Sequence, residues 1–388
     1  MADAKKHIVA GIKTILADRG LDGSGKEIWT KRLGEITEDE VKWALSRQPG
    51  YYILDRLLIL ISPAAENFIE QMAQIAHQLT LQRFGKTVRL YAPLYVSNFC
   101  VNGCTYCGFS TNHRFSRIRL TIEQAVAEAE TVAKEGFKDL LLVSSEDKNF
   151  ITVDYLAQLA SKLRPKFSSL SVEIYQMSAD EYAKLFAAGI DGVTLYQETY
   201  DRETYRKYHP AGPKADYDYR LSAADSFGQA GMREIGLGAL LGLDDWRLET
   251  LALAEHAHYL MKRYWKSRVS FSFPRLRPAK DVDSAQFNLL SDKNLVQMIL
   301  ALRLCFADAG MTISTREPAY LRDQLVKLGI TRMSAGSKTN PGGYSTHADS
   351  VGQFDIDDSR SPAQIAAMLK QVGLEPVWKD WDSAFIET

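Results

Sequence analysis

The sequence predicts an α/β fold, a (β/α)8 barrel with an N-terminal helical extension and a short C-terminal extension. Two observations predict it. From Thr87 onward, eight short β-rich segments recur with longer helical or mixed segments between them. Strand–helix alternation repeated in this way implies a parallel sheet closed on itself. Within those segments, runs such as LLLV and GVTLY are apolar without strict alternation, as strands buried on both faces must be. In a barrel of this TIM type the chemistry sits at the C-terminal ends of the strands and on the loops that follow them.

The elements follow in chain order. Residues 1–85 read as helices: VKWALS, YYILDRLLILIS and AENFIEQMAQIAHQLTLQRFG carry apolar residues at helical spacing, with no strand signal. The barrel is assigned to 86–336. Its strand segments are TVRLYAPLYVS, KDLLLVSS, LSVEIYQM, DGVTLYQET, EIGLGALLGL, RVSFSFPRL, MTISTRE and ITRMSAG. Thr121 with Gln124, and Ser178 with Glu181, have the capping-box spacing that opens a helix. The glycines of EIGLGALLGL do not have the G-x-G-x-x-G spacing of a dinucleotide loop. They read as part of the fifth strand, where small residues allow a close approach. Residues 337–388 form the C-terminal segment, expected to cover the barrel. It holds the Gly/Ser/Thr/Asn-rich stretch SKTNPGGYSTHADS, a helix opened by Ser361-Pro362, and the closing LEPVWKDWDSAF.

The 388 residues are 46% hydrophobic and 24% charged, with a net charge of −1 and a pI near 6.7. Nucleic-acid binders usually carry a strong basic excess, so no nucleic-acid partner is expected. No run of 18 apolar residues occurs, so no membrane span is expected. The opening MADAKKHIVAGIKTILADRG has no continuous apolar core of a signal peptide, and a cytoplasmic location is expected. Of four cysteines, three lie between positions 100 and 107. In a reducing compartment such a cluster reads as metal binding or catalysis rather than a disulfide framework. Cys305, among apolar neighbours at helical spacing in ALRLCFADAG, reads as a buried core thiol.

Cys100, Cys104 and Cys107 sit in the loop after the first strand, at the catalytic end of the barrel. Their spacing lets a short loop wrap three thiolates around one face of a [4Fe–4S] cluster, with Asn102 and Gly103 supplying turn-compatible backbone. Such clusters usually take four cysteines, so three leave one iron open to a small molecule. The competing reading is a structural zinc completed by His113. Structural zinc sites usually pair C-x2-C with a distant second pair, which this spacing does not do. A zinc-dependent barrel hydrolase is a second alternative. Only seven histidines occur, and His256 and His258, two apart on a helix, do not share a face.

The Cys-x3-Cys-x2-Cys motif resembles that of the radical S-adenosylmethionine (SAM) superfamily. The resemblance implies that the open iron binds the amino and carboxylate groups of SAM, and that Tyr106 packs by the adenine. Ser144-Ser145-Glu146-Asp147, ending the second strand, resembles a segment that holds the methionyl amino group through Ser145 and Glu146, although Ser145 stands where a glycine is usual. Gln197-Glu198-Thr199 resembles a segment placing Glu198 near SAM. Arg220, expected at the start of the following helix, matches an arginine that pairs with the methionyl carboxylate.

The resemblance covers nearly the whole chain and is nearest to the 2-iminoacetate synthases, the tyrosine lyases of thiamine biosynthesis. PLYVSNFCVNGCTYCGFS, YQETYDRETY, IGLGALLGL, SFPRLRP, STREP, SKTNPGGY and EPVWKDWDS carry it, the last two most specifically. It implies cleavage of the Cα–Cβ bond of L-tyrosine to 2-iminoacetate and p-cresol, with 5′-deoxyadenosine and methionine as co-products. It also implies thiazole synthase as the partner that takes the imine, and an electron donor such as flavodoxin or ferredoxin. Tryptophan-lyase-type relatives share YDRETYR and TREP-type segments but lack KTNPGGY and VWKDWDS. The tyrosine lyases of hydrogenase maturation carry a second cluster in a C-terminal extension, and this chain has no cysteine after Cys305. An amino-acid substrate needs its carboxylate fixed, and the fork of Arg316, ending the seventh strand, suits it. Tyr95 and Ser334 match residues that hold the amino-acid head in the tryptophan-lyase relatives. Arg275 and Arg277 are further candidates, with rim salt bridges as the competing reading of all three arginines.

Overall fold

The computed structural model describes residues 11–283 and 287–379. Eight parallel strands close into a barrel: β1 Thr87–Ser97, β2 Asp139–Ser144, β3 Ser169–Glu173, β4 Gly192–Thr194, β5 Glu234–Gly238, β6 Arg268–Ser272, β7 Gly310–Ile313 and β8 Arg332–Ser334. Each pairs with the next, and β8 returns to β1. Residues of the expected helices build the outer ring, and Thr121 and Ser178 close their capping boxes with Gln124 and Glu181. Cys305 ends the helix Asp292–Cys305 and is 1% exposed. Burial pushes its thiol up to about 12.

The ladders are shorter than the apolar segments. β4 keeps only three residues, although Leu195 N and Gln197 N still donate to Gly236 O and Gly238 O, each at 3.1 Å. The small residues of β5 do admit a close approach, by the neighbouring strand. A Cβ on Gly236 would lie 2.3 Å from Thr194 Oγ1, and one on Gly238 would lie 2.7 Å from the Tyr196 ring.

Helices spanning Ile12–Phe84 pack on the flank formed by Trp246–Arg263 and Asp292–Cys305. Arg56, fully buried, ties this extension together by donating to Ala44 O, Tyr51 O and Leu304 O at 3.0–3.3 Å.

The C-terminal segment reaches both ends of the barrel. Its irregular part crosses the mouth: Tyr344 Oη donates to Pro93 O at 2.9 Å, and Gly108 N donates to Gln353 O at 3.2 Å. The helix Pro362–Gln371 opens with a capping box from Ser361. A further strand, β9 Glu375–Val377, then pairs in parallel with the start of β1. This strand is not legible in the sequence, because three residues carry no readable periodicity. Of VWKDWDS, the last four residues lie outside the described region, as do residues 1–10 and 380–388 of the two extensions. No helix among the described residues is long and apolar enough to cross a membrane.

Charge fills the barrel floor. Arg89 meets Asp139 at 2.8 Å and Glu234 at 3.0 Å. Arg332 meets Asp139 at 2.8 Å, and Arg268 meets Glu234 at 2.9 Å.

Candidate active site

The mouth holds a cavity open to solvent, and the thiols of Cys100, Cys104 and Cys107 line it. The loop that carries them is fixed at both ends. β1 has an irregularity between Tyr95 and Ser97, a device that re-aims side chains beside active sites. Past the cysteines, Arg117 donates to Asn98 O, Phe109 O and Ser110 O at 2.6–2.9 Å. Gly108 is required by a close approach: a Cβ there would sit 2.7 Å from Gln353 O.

Burial raises the Cys107 thiol and pushes that of Cys104 up to about 12, so ligation has to displace protons. Among the described residues no three His, Cys, Asp or Glu side chains converge on one point as a single ion requires. His113 Nδ1 faces Gly108 O at 3.3 Å. A cubane spreads its ligands over separate irons, so a loop of three soft thiols without a fourth ligand fits it better than zinc. Asn102 Nδ2 and Gln353 Nε2 point at Cys100 Sγ and Cys107 Sγ, at 3.7 and 3.9 Å.

Charged groups from the next strands share the cavity. Glu146, after β2, accepts from Asn102 Nδ2 at 2.7 Å and faces Lys148 at 3.3 Å. Ser145 Oγ donates back to the loop, at 3.2 Å to Ser97 O. Asp147 takes Arg119 at 2.6 and 2.8 Å and Ser97 Oγ at 3.0 Å, which anchors the loop rather than facing the cavity. Glu198 stands at φ 72°, a left-handed backbone that non-glycine residues adopt at a cost of order 1–3 kcal/mol, characteristically at functional sites. It pairs with Lys214 at 2.6 Å and Arg220 at 3.4 Å. Burial raises its carboxyl, but the two cations outweigh this and hold it below its ordinary value. Arg220 lies in the last turn of the short helix Tyr217–Leu221, not at a helix start as expected. Ser222 separates that turn from the helix Ala223–Gln229 that leads to β5.

Tyr106 lines the cavity beside a neutral histidine. Burial pushes His209 down to about 3. Its Nδ1 faces Tyr205 O at 2.7 Å and so carries the proton, leaving Nε2 to accept from Tyr106 Oη at 2.8 Å.

Arg316 lines the cavity with its guanidinium 3.3 Å over the Phe354 ring. Arg277 lines it too but bridges Glu317 at 3.2 Å and Asp357 at 2.9 Å. Arg275 is pinned to the fully buried Glu317 at 2.9–3.0 Å and to Asp292 at 2.7 Å, away from the cavity. Tyr95 and Ser334 are outside its lining as well. Tyr95 Oη donates to Gln353 Oε1 at 2.8 Å, and Ser334 Oγ accepts from Thr315 N at 3.0 Å.

The cavity therefore gathers the three thiols, Tyr106, Ser145, Glu146, Glu198, Arg220, Arg277 and Arg316. Lys214, Gln353 and Glu173 were missed. Lys214 lies in the single 3-10 turn Pro213–Ala215 and Gln353 in an irregular stretch, and neither carries a readable pattern. Glu173 was inside a recognised strand, and a carboxylate among apolar residues at a strand's C-terminal end was the available signal.

Residues 94–254 match the model of the Radical SAM superfamily, and residues 272–375 that of the Biotin and Thiamin Synthesis associated domain. The chain is 45% identical over 331 residues to a 2-iminoacetate synthase of Escherichia coli (strain K12), covering 85% of this chain and 87% of that protein. It is 45% identical over 354 residues to a 2-iminoacetate synthase of Salmonella typhimurium (strain LT2), covering 91% and 93%. A crystal structure of HydG, a maturase of the [FeFe]-hydrogenase, superposes with a TM-score of 0.86 at 31% identity, covering 92% of this chain and 81% of that one.

Proposed function

The chain belongs to the 2-iminoacetate synthase family of radical SAM enzymes, and from that membership we propose that it cleaves the Cα–Cβ bond of L-tyrosine to 2-iminoacetate and p-cresol. The supporting observation is 45% identity across nearly the whole chain, joined to a three-thiol loop at the barrel mouth. Its cofactors are a [4Fe–4S] cluster and SAM. When bound, they supply a 5′-deoxyadenosyl radical that takes a hydrogen atom from the substrate amino group.

The chain's own residues bind, aim and shield. Cys100, Cys104 and Cys107 hold the cluster. Glu146, Glu198 and Arg220 provide both signs of charge for the methionyl zwitterion, with Ser145 beside them, and Tyr106 offers a ring edge to the adenine. Arg316 takes the substrate carboxylate. Its stacking on Phe354 fixes the plane of the fork, and a fixed fork aims the amino group. Arg275 and Arg277 hold Glu317 and the C-terminal segment in place. Tyr95 and Ser334 act from behind the cavity wall, through Gln353 and Thr315.

The product imine hydrolyses in water, so thiazole synthase is the partner that takes it, for thiazole formation in thiamine biosynthesis. A flavodoxin- or ferredoxin-type donor supplies the electron, and the enzyme works in the cytoplasm. The test is anaerobic turnover with SAM and a reductant. L-Tyrosine yields p-cresol and glyoxylate, the hydrolysis product of the imine, and L-tryptophan yields no indole products. Indole products formed faster than p-cresol would move the chain to the tryptophan-lyase type.

A further inference from the structure

Two opposite charges at the mouth remain without an ion-pair partner. Glu173, the last residue of β3, and Arg316, after β7, both line the cavity. Neither has a salt bridge among the described residues. The other charged groups lining the cavity do: Glu146 with Lys148, Glu198 with Lys214 and Arg220, and Arg277 with Glu317 and Asp357. Glu173 accepts only one long hydrogen bond, from Tyr196 Oη at 3.3 Å. Arg316 donates only weakly, from Nη1 to Arg275 O at 3.5 Å. Yet each lies in the other's field, across a gap wider than a salt bridge.

An unpaired carboxylate and an unpaired guanidinium facing one gap form the complement of a zwitterion. A phenol would need one polar partner, whereas an amino-acid head needs one anion and one cation side by side. We propose that Glu173 binds the α-ammonium of the substrate opposite Arg316 and accepts its extra proton. The proposal rests on the tyrosine-lyase reading and deepens it. One N–H bond of the ammonium breaks heterolytically, its proton goes to a carboxylate oxygen of Glu173, and the electron pair stays on nitrogen. The amine left is neutral, with two N–H bonds, and no oxidant or reductant enters the step. Losing a hydrogen atom from this neutral amine avoids creating a cationic aminium radical in a buried site, where an unpaired charge is costly.

The surroundings suit a base. Burial pushes the Glu173 carboxyl up to about 7, against the opposing pull of Arg316. The groups facing it are Arg316 from the β7 end, Tyr196 and Glu198 from the β4 end, Arg220 from its short helix, and Tyr91 and Tyr95 from β1. A pKa near the working pH is where a general base is most effective.

The experiment measures binding to anaerobic, cluster-loaded enzyme with SAM and no reductant. The ligands are L-tyrosine and 3-(4-hydroxyphenyl)propionate, which lacks the amine. Glu173→Gln weakens tyrosine by about 30-fold or more, as expected for removing one member of a buried charge pair. Its affinities for the propionate and for SAM stay at wild-type values. Glu173→Asp restores part of the tyrosine affinity, and the acid limb of the kcat/KM profile moves in this variant relative to the wild type. Equal weakening of both ligands, weakening of SAM instead, or unchanged tyrosine binding overturns the proposal. If Glu173→Gln fails to assemble its cluster, the Asp variant's pH limb decides: an unmoved limb overturns it. Wild-type enzyme producing no p-cresol marks failure of the lyase reading instead. The same pair of ligands is then remade from whichever amino acid the wild type does cleave.

Discussion

At the barrel floor, Arg89, Arg268 and Arg332 face Asp139 and Glu234; at the mouth, Glu173, Glu198, Arg220 and Arg316 face a cavity. Both ends bury charge on inward-facing side chains. The floor closes its charges on one another within 2.8–3.0 Å, while the mouth leaves Glu173 and Arg316 to an occupant. The contrast follows from the parallel barrel, in which loops able to build a ligand site cluster at the C-terminal strand ends and the other end serves stability. Substitutions at the two ends should therefore fail in different ways.

The largest effect lies at the mouth. Replacing Cys100, Cys104 or Cys107 by Ala removes the broad absorption at about 400 nm expected of a [4Fe–4S] cluster, and with it all SAM cleavage. Far-ultraviolet circular dichroism stays that of the wild type. Cys305→Ala, in the core of the helical flank, keeps both cluster and cleavage. Cluster loss in the Cys305 variant would put a ligand where the fold has none.

At the floor the signature reverses. Asp139→Ala leaves Arg332 and one edge of Arg89 without their carboxylate, and breaking a buried pair costs about 3–5 kcal/mol. Thermal unfolding should shift down while SAM cleavage per assembled cluster is unchanged. Glu234 adds a pH dependence. Burial raises its carboxyl, but Arg89, Arg268 and Arg332 outweigh that and hold it well below the ordinary value. Its contribution to stability is therefore full above the unfolded-state pKa and is lost as pH falls through the folded-state one. Glu234→Gln should flatten the acid limb of the stability curve. A floor variant that kept its stability but lost activity would erase the distinction between the ends.

Next come the mouth charges away from the cluster. Glu198→Gln and Arg220→Ala weaken SAM binding by about 30- to 4,000-fold, the range for losing one partner of a buried charge-assisted contact, with the cluster still assembled. Arg316→Ala keeps SAM affinity but loses tyrosine turnover by ~10²-fold, the size of effect of a ~1 Å misplacement. Arg275→Ala, one loop away, behaves like a floor variant, because its partner Glu317 is fully buried. Arg316→Ala with normal turnover would move the carboxylate to Arg277.

The sequence carried the closed barrel because eight buried strands leave apolar runs at regular intervals, and it carried the cluster loop because its ligands lie within eight residues. It could not separate Arg275 from Arg316. Both are arginines at strand ends, and only the fold reveals that Glu317 has taken one and left the other. Nor could it show β9, whose three residues gain meaning from the free edge at the start of β1. Gln353 was equally hidden, since GQFDIDDS has no period and its role depends on where the chain crosses the mouth.

That crossing gives the smallest expected effect. Gln353 bridges Tyr95 Oη, through Oε1 at 2.8 Å, and Cys107 Sγ, through Nε2 at 3.9 Å. Hydrogen bonds to cluster sulfurs help set the reduction potential. A donor stabilises the sulfur more when the cluster carries the extra electron, so losing it disfavours the reduced form. Gln353→Leu should therefore lower the potential. A modest net hydrogen bond of about 0.5–1.5 kcal/mol corresponds to roughly 20–60 mV for one electron, and the long contact argues for the lower end. Redox titration followed by electron paramagnetic resonance reads this directly, and the cluster remains present to be measured. Gln353→Glu should lower it further, because an ionised carboxylate adds negative charge and donates nothing. An unshifted potential in both variants would leave Gln353 holding only Tyr95 and the Gly108 crossing, and the C-terminal segment would then shape the mouth without tuning it.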